Sequence, residues 1–470
     1  MAAVLAPNAA VAAAAGEPDR AAIDRFVTEF AGNAGYPDVT VAITKGDRVV
    51  HVAGYGRGDA DVTATTPMPV ASVSKSFTAL AVMQLVERGA VALDRPVADY
   101  LPDFHLADPR AAGITVRRLL NQTSGISDRT LREKSLPQPD SLADAVPRAN
   151  AATLAVDPGT RHHYTNTNYH LAGRLVEVVS GEPYADYLRR HVFEPAGMRS
   201  TTTITHAPGG VTKGHVYAYG ASIPATEPHR LVAGSDGVVS TAEDMARWLV
   251  VQSNGGRTAD GTRLVSPESV KAMHTSSDPR WTYGMGWDTS EDGRVRHSGI
   301  WFTHSAGQLL LPSGYGIAVT ASSGVALGNE GTGALEDGLA TLLEGGVPDT
   351  GSSLRLVIDL VLAALTVLSL VLCFLALRRS ARWAATPRPG WQRALRLLPR
   401  LVPLVFLVTM SDLVGLVVGG GRDISGVQLA YYSPALVTWL TVSAVGNGAV
   451  LVTRFVALVR PRRSPPVVAG

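Results

Sequence analysis

The chain has 470 residues, enough for about three domains, and 46% of them are hydrophobic while only 17% are charged. This composition excludes a disordered chain, a coiled coil and a collagen-like repeat. The net charge of +2 conceals two opposite parts, because residues 354–470 carry 13 Lys and Arg against 3 Asp, which leaves residues 1–353 acidic. An acidic part of this size has no footprint for nucleic acid.

The single cysteine, Cys373, lies in a long apolar run. The acidic part therefore has no disulfide, no cysteine nucleophile and no thiolate metal site. A domain of about 300 residues buries an adequate core without disulfides, so their absence does not argue against export.

Residues 1–19 form an apolar, alanine-rich leader with two interpretations. Ala13, Ala14 and Ala15 resemble the end of a signal peptide, but the first basic residue is Arg20, so the positively charged start of such a peptide is missing. The segment is either the remnant of a signal peptide that starts further upstream or a disordered leader.

The first elements after the leader are a helix, a hairpin and a second helix. Apolar residues at helical spacing predict a helix over 18–32. Two β-rich runs at 39–44 and 49–55 flank a turn and predict a hairpin. A strongly apolar helix over 72–88 ends at a glycine.

The following part predicts a helical middle and a return to strands. Residues 92–200 are mostly helical in pattern, strands return at 308–311 and 316–321, and a last helix covers 331–345. Strands at both ends of a helical middle predict one α+β domain over 20–347, in which an antiparallel sheet flanked by helices is assembled from both ends of the domain.

After a linker at 348–354, residues 355–460 predict a membrane domain with three transmembrane helices, at 356–377, 401–419 and 429–452. The loop between the first two spans carries seven arginines and no acidic residue, and more arginines follow the third span. By the positive-inside rule, this loop and the tail at 461–470 are cytoplasmic. The prediction is a multi-pass protein of the cell membrane whose α+β domain is extracellular.

Two acids, Asp359 and Asp412, fall within the predicted spans. An intramembrane acid is a functional candidate. Both lie near the outer boundary, close to Arg355 and Arg422, so we expect interfacial placement or pairing instead. The predicted spans contain no pair of broken helices of the kind that indicates a transporter.

A first motif with chemical potential is Ser72-Val-Ser-Lys75, at the start of the apolar helix. Lys75 lies one turn beyond Ser72 on the same face, so its amine can reach the Ser72 hydroxyl. A desolvated lysine has a lowered pKa and can act as a base toward serine. The tetrapeptide alone is weak, but a lysine that enters an apolar helix is costly unless it is used or paired.

Two further motifs are weak when taken singly. In Tyr164-Thr-Asn166 the tyrosine can share a proton with a lysine, and the Asn166 amide can hold both that lysine and a substrate. His297, Ser298 and Gly299 lie on a predicted strand whose edge offers a backbone for substrate pairing, a hydroxyl and a ring.

Together, and in this order, the three motifs resemble the serine β-lactamase and penicillin-binding protein superfamily. The likeness is greatest to the class C β-lactamase branch, which includes DD-carboxypeptidases, D-aminopeptidases and esterases. It covers about residues 20–345 and is specific as a set. Other segments resemble that branch as well, at 119–126, 164–169, 195–198, 240–245 and 283–287.

The resemblance implies a β-lactamase-like fold with a helical subdomain and acyl transfer through an acyl-enzyme. Ser72 would be the nucleophile and Lys75 its activating partner, while Tyr164 would assist proton transfer and Asn166 would orient the substrate. The reaction would need neither a metal nor a cofactor.

The resemblance also implies the substrate strand and the oxyanion hole. The backbone N–H groups of Ser72 and Ile300 would stabilise the oxyanion, and His297, Ser298 and Gly299 would line the substrate. His297 replaces the lysine of true class C β-lactamases. A neutral histidine attracts a substrate carboxylate less than an ammonium does, although a protonated one would still do so, which weakens the expectation of efficient β-lactam hydrolysis.

His162 and His163 precede Tyr164 and match no metal-ligand spacing, so we interpret them as structural.

The sequence predicts a membrane-anchored extracytoplasmic serine hydrolase. Its substrate would be a peptidoglycan-type D-amino-acid peptide, a β-lactam or an ester, and the bilayer would be its other partner. The alternative is a penicillin-binding sensor that is acylated without turnover and signals through its membrane helices. A sensor would need a cytoplasmic effector, and the short loop and tail leave little room for one, so we favour the hydrolase.

Overall fold

The computed structural model describes residues 19–57, 61–211, 213–417 and 420–459. The predicted leader, except for its last residue, and the predicted tail at 461–470 lie outside these residues.

The helices of the first part of the chain are α1 (Arg20–Ala34), α2 (Ser74–Glu87), α3 (Val116–Leu120), α4 (Leu142–Asn150), α5 (Asn166–Ser180), α6 (Tyr184–Leu188), α7 (Ala242–Ser253), α8 (Pro267–His274) and α9 (Gly333–Leu343). The last part consists of α10 (Leu354–Arg378), α11 (Ser380–Ala385), α12 (Gly390–Leu397), α13 (Val402–Val417), α14 (Gly426–Tyr432) and α15 (Pro434–Val459). The strands are β1 (Asp38–Lys45), β2 (Arg48–Gly56), β3 (Met68–Pro69), β4 (Thr202–Thr203), β5 (His206–Ala207), β6 (Gly214–Ala218), β7 (Ala221–Ala225), β8 (Arg230–Leu231), β9 (Val238–Ser240), β10 (Asp288–Thr289), β11 (Val295–Ile300), β12 (Ser305–Leu310) and β13 (Tyr315–Ala321).

The largest sheet of the described residues has six strands in the order β10-β11-β12-β13-β1-β2. All its pairings are antiparallel, and Thr40 of β1 lies opposite Thr320 of β13. The prediction of a sheet assembled from both ends of an α+β domain is therefore confirmed.

Helices cover both faces of this sheet. On one face, α1 and α9 bury Ile23, Phe26 and Leu339 in a core with β1 and β13. On the other, α2 and α7 bury Phe77 and Trp248, whose rings stack 3.9 Å apart. Because both faces are covered, β1 and β13 are buried along nearly their whole length.

Three segments of the described chain are long and apolar enough to cross a membrane, at Leu354–Arg378, Gly390–Val417 and Pro434–Val459. The first agrees with the predicted span. The second begins at Gly390 rather than at 401, because α12 continues through a 3-10 turn into α13, and α13 itself begins within one residue of the predicted start. The third begins later than predicted, because α14 ends at Tyr432 and Pro434 opens a new helix, where its missing N–H removes no helical hydrogen bond.

The start of α10 is attached to the α+β domain by polar contacts. The Arg355 guanidinium lies 3.6 Å from the Tyr217 ring centroid and donates to the Gly35 carbonyl at 2.6 Å. Asp359 accepts from the Tyr219 N–H at 2.7 Å. Of the two acids for which pairing was expected, Asp412 forms an ion pair, with Arg132 of the α+β domain at 2.9 Å, whereas Asp359 has a backbone donor instead.

Candidate active site

Ser72 lies in a single 3-10 turn, Ala71–Val73, directly before α2. Ala71 has a φ of 47°, a left-handed conformation that costs an alanine about 1–3 kcal/mol and persists only where its surroundings impose it. The neighbouring Val70 is fixed by hydrogen bonding to the Val238 carbonyl at 3.0 Å. The Ser72 hydroxyl is thus presented from a constrained turn.

Lys75 is fully buried one turn beyond Ser72. Its Nζ donates to Ser72 Oγ at 3.0 Å, to Asn166 Oδ1 at 2.8 Å, to the Ser235 carbonyl at 3.1 Å and to Asp236 Oδ1 at 3.2 Å. A buried amine is stable only with such partners, and every one of these acceptors comes from another turn or segment.

Asp236 is a site residue that the sequence analysis missed. Its Oδ1 accepts from Ser72 Oγ at 2.8 Å, and its Oδ2 accepts from Arg230 at 2.9 Å. Although burial raises the pKa of Asp236, the charges of Lys75 and Arg230 outweigh burial and hold that pKa well below its usual range. Asp236 therefore stays a carboxylate beside the Ser72 hydroxyl.

Backbone pairing explains why a residue so distant in the chain reaches Ser72. Strand β9 follows Asp236 after one residue and pairs with β3, which precedes the Ser72 turn. The Val238 N–H also donates to Ser74 Oγ at 2.9 Å. In the sequence, Gly-Ser-Asp236-Gly is typical of a turn, and no local signal distinguishes its aspartate from a surface one.

Lys75, Asp236 and Arg230 form a cluster of charged groups, and a second buried carboxylate extends this cluster to β11 and β12. Glu227 pairs with Arg230 at 3.3 Å. Its oxygens also accept from the N–H groups of Phe302 and Thr303, at 3.1 and 3.0 Å, in the turn that joins the two strands. The cluster thereby fixes the strand connection next to the site.

Asn166 and Tyr164 lie on either side of the N-cap residue of α5. Asn166 donates to Asp236 Oδ2 at 3.2 Å as well as accepting from Lys75, so its amide joins the two charged groups. Lys75 Nζ lies 4.9 Å from the centroid of the Tyr164 ring, over the ring rather than at the hydroxyl. The loop before Tyr164 is held by Gln122, whose carbonyl accepts from the His163 N–H at 2.8 Å.

Strand β11 brings the third motif to the Ser72 turn. A Cβ added to Gly299 would lie 2.3 Å from the Val70 carbonyl and 3.1 Å from the Ser72 nitrogen, so only glycine permits this approach. His297 and Gly299 are buried, whereas Ser298 and Ile300 are exposed. The edge strand β10 covers β11 only at its first two residues, and within the described chain no strand pairs with that edge at residues 297–300.

Both ring nitrogens of His297 have a hydrogen-bond partner. Its Nε2 lies 2.9 Å from the Tyr283 hydroxyl and its Nδ1 lies 2.7 Å from the Ser298 carbonyl. Burial, with the nearby Lys75 charge, lowers the pKa of His297 to about 3. We therefore expect the ring to be neutral at pH 7, where it offers no positive charge to a substrate carboxylate.

The site combines a presented hydroxyl, a buried amine–carboxylate pair and a free strand edge beside them. This set can activate a serine as a nucleophile and hold an extended acyl substrate. The three predicted motifs all meet here.

Comparison with known proteins is consistent with this geometry. Residues 23–340 match the Beta-lactamase family. The chain is 29% identical over 313 residues to Protein flp of Staphylococcus aureus (strain MW2), an alignment that covers 64% of this chain and 62% of the relative. It is 35% identical over 241 residues to Penicillin-binding protein 4 of Amycolatopsis lactamdurans, covering 48% and 63%. The chain thus spans less than two thirds of the length of these curated relatives.

Solved structures give the same fold. The octameric penicillin-binding protein homologue from Pyrococcus abyssi aligns with a TM-score of 0.59 and 26% identity, over 70% of this chain and 78% of that one. A D-stereospecific amidohydrolase from Streptomyces sp. aligns with a TM-score of 0.50 and 24% identity, over 65% and 94%. The second likeness concerns the fold alone.

Proposed function

The chain belongs to the Beta-lactamase family, and from this membership we propose that it is a membrane-anchored extracytoplasmic serine hydrolase that acts through an acyl-enzyme. The observation that supports the proposal is the position of Ser72 Oγ, between Lys75 Nζ at 3.0 Å and Asp236 Oδ1 at 2.8 Å. The charge pattern of the arginine-rich loop supports the extracytoplasmic placement.

In the proposed reaction, the Lys75 ammonium first releases one proton to solvent, and Ser72 Oγ then attacks the acyl carbon while its own proton passes to the amine so formed. The carboxylate of Asp236 stabilises the ammonium that forms, and Arg230 on its other oxygen limits how strongly Asp236 holds Lys75 charged beforehand. The proton then passes to the leaving group, with Tyr164 assisting. Water attacks the acyl-enzyme, releases the acid and regenerates Ser72.

We propose that the oxyanion lies between the N–H groups of Ser72 and Ile300, and that the substrate runs along β11 at His297, Ser298 and Gly299. The close approach of Gly299 to the Ser72 nitrogen supports this placement. Asn166 would orient the substrate with its remaining amide N–H.

The proposed substrates are a D-amino-acid peptide, a β-lactam or an ester. The penicillin-binding protein relatives support the first two. The neutral His297 disfavours a substrate that relies on a cation at this position for its carboxylate, so we place β-lactams behind peptides and esters.

A penicillin-binding sensor is the second candidate. It is favoured by one observation: the Arg422 guanidinium, from the connection between two membrane helices, lies 4.7 Å from the centroid of the Tyr164 ring. A structural change on acylation of Ser72 would thus be passed through Tyr164 to the connection between the membrane helices.

The experiment that tests the proposal uses the full chain in a non-ionic detergent. A fluorescent penicillin, a p-nitrophenyl ester and a D-alanyl dipeptide amide are supplied separately, and intact mass is followed with product release. We expect an adduct on Ser72, which tandem mass spectrometry separates from one on Ser74, and clearance within minutes. A stable adduct identifies the sensor, and an adduct elsewhere contradicts the proposal.

Replacement of Gly299 by alanine is expected to lower kcat/KM at least about 100-fold, because the new methyl group forces β11 away from Val70 and Ser72. The matched control is Gly333→Ala at the start of α9, where an added Cβ meets no atom within 4 Å. Ester hydrolysis by both variants provides the measurement. Equal loss in the two variants would refute the proposed role of the close approach.

A further inference from the structure

A small cavity lies beside Tyr164, at the junction of the α+β domain with the connection between two membrane helices. We call residues 420–433, which include the short helix α14 and join α13 to α15, the connecting loop. The cavity has a volume of about 90 Å³ and lies between residues 161–164 and residues 420–422 of this loop. Its size suits a carboxylate or a phosphate group and excludes a drug-sized molecule.

The lining of this cavity is positively charged. Arg129, Arg161 and Arg422 line it, and no acidic side chain does. Arg422 is paired with Asp128 at 2.8 Å. Arg129 and Arg161 have no ion-pair partner in the described part of the chain, so the cavity keeps two uncompensated guanidinium groups.

Two histidines add unsatisfied polar atoms. His162 Nε2 and His163 Nδ1 are buried without a hydrogen-bond partner among the described residues, and both rings line the cavity. Burial, together with the nearby arginine charges at His163, lowers the pKa of both rings, which are neutral at pH 7. The two ring nitrogens are therefore available to hydrogen-bond a group bound in the cavity.

The connecting loop is held in place independently of the cavity. The buried Asp423 accepts from the N–H groups of Lys134 and Ser135, at 3.1 and 2.9 Å, and from Arg132 at 3.1 Å. At Gly421, an added Cβ would lie 2.5 Å from the Arg129 guanidinium, so this glycine lets the arginine pack against the loop. The membrane part thus completes the cavity wall.

The cavity is adjacent to the proposed nucleophile. The Tyr164 ring lines it, and the Lys75 amine and the Arg422 guanidinium lie 4.9 and 4.7 Å from the centroid of that same ring. Because the Lys75 amine and the Arg422 guanidinium lie against the same ring, a substrate bound at Ser72 is close enough to place an anionic group in the cavity.

We propose that this cavity binds an oxyanion, a carboxylate or a phosphate group, carried by the substrate that acylates Ser72. The substrate is then an acidic one, and the connecting loop of the membrane part completes its binding site. This inference rests on the proposed hydrolase function and adds the chemical class of its substrate. Guanidinium groups bind both oxyanions through paired, charge-assisted hydrogen bonds.

The test compares esters that differ only in charge. Full-length protein in a non-ionic detergent, where no lipid headgroup competes, receives mono-p-nitrophenyl adipate and suberate and the neutral methyl ester of each. We expect kcat/KM to be at least about tenfold higher for one or both acids than for the matching neutral ester, mainly through KM. Inorganic phosphate is expected to compete with the preferred acid.

Arginine variants test whether the preference for the acidic ester arises in the cavity. Arg129→Ala and Arg161→Ala are expected to reduce the acid-to-neutral ratio of kcat/KM several-fold each, and Arg422→Ala at least as much. Arg25→Ala, which removes an exposed arginine of α1 on the opposite face of the sheet, is the control and should keep the ratio. Because Arg422 also pairs with Asp128, the two exposed arginines keep the test valid if the Arg422 variant fails to fold.

The outcomes separate the two proposals. A ratio near one in the wild type overturns the inference while leaving the hydrolase intact, and so does a preference that survives all three variants. Absence of Ser72-dependent turnover for every ester, together with absence of any Ser72 adduct or product from the fluorescent penicillin and the dipeptide amide, overturns the hydrolase proposal and the inference with it.

Discussion

Replacing Ser72 by alanine is expected to reduce hydrolysis of the preferred ester or peptide by about 10⁴- to 10⁶-fold. The change removes Oγ, the atom that we propose forms the acyl-enzyme, together with its hydrogen bonds to Lys75 and Asp236. The residual rate would come from oriented binding alone. Steady-state kinetics on the full chain in detergent, with burst-phase analysis, provides the measurement.

The control for this experiment is Ser74→Ala. Ser74 lies two residues further on, and its hydroxyl accepts from the Val238 N–H at 2.9 Å but forms no hydrogen bond with the side chains of Lys75 and Asp236. We expect this variant to lose some thermal stability but to retain the acyl adduct. Activity in Ser72→Ala that equals the wild type would show that another residue is the nucleophile.

Replacing Asp236 by asparagine is expected to lower kcat by about 10²- to 10⁴-fold, because the ammonium formed at Lys75 loses its counter-charge. The same change leaves Lys75 and Arg230 buried without a carboxylate between them. Breaking a buried pair in this way costs about 3–5 kcal/mol of unfolding free energy. Both effects are measured on one preparation, by ester kinetics and by the thermal midpoint in detergent.

The pH dependence of the unfolding free energy distinguishes the effect of the Asp236 charge from that of its shape. Because the folded-state pKa of Asp236 is depressed, its stabilisation is present above the unfolded value of about 4 and is lost as the pH falls below that value. The stability difference between wild type and Asp236→Asn should therefore shrink on acidification below pH 4. A constant difference would contradict the ionised state of the carboxylate.

A second buried aspartate provides the control. Asp244 pairs with Arg247 at 2.8 Å and accepts from the Ser200 N–H, outside the Ser72 site. Asp244→Asn is expected to lower the thermal midpoint without the loss in kcat. If the two variants lost kcat equally, the effect at Asp236 would be a consequence of general destabilisation.

Local pattern was sufficient for the elements at the two ends of the α+β domain, whereas the prediction of a mostly helical middle was too broad and the short strands β4 to β9 were not predicted. The strands around residues 39–44 and 49–55 and the helix over 18–32 differ from β1, β2 and α1 by one or two residues at their ends. These elements carry strong periodicity and clear stop signals, which depend on neighbouring residues only. The third span is predicted too early because the apolar residues of α14 continue the run, whereas the chain leaves the helical conformation at Ser433 and a new helix begins at Pro434.

The sequence predicted only some of the site residues, for a different reason. Ser72, Lys75, Tyr164 and Asn166 stand in short motifs, so the chain order is enough to single them out. Asp236 joins them through pairing of β9 with β3, which no local pattern encodes. Arg422 was interpreted as a boundary residue because its partner, Asp128, lies almost 300 residues away in the chain.

The pairing of β1 with β13 also bears on the order in which the chain matures. Thr40 reaches its partner Thr320 only after nearly the whole α+β domain has been synthesised, so closure of the sheet is a late, high-contact-order event. The next long element to leave the ribosome is α10, which begins at Leu354. Completion of the sheet and synthesis of the first long hydrophobic helix are thus consecutive steps, and a chain that stalls before residue 315 would display an open strand edge prone to aggregation.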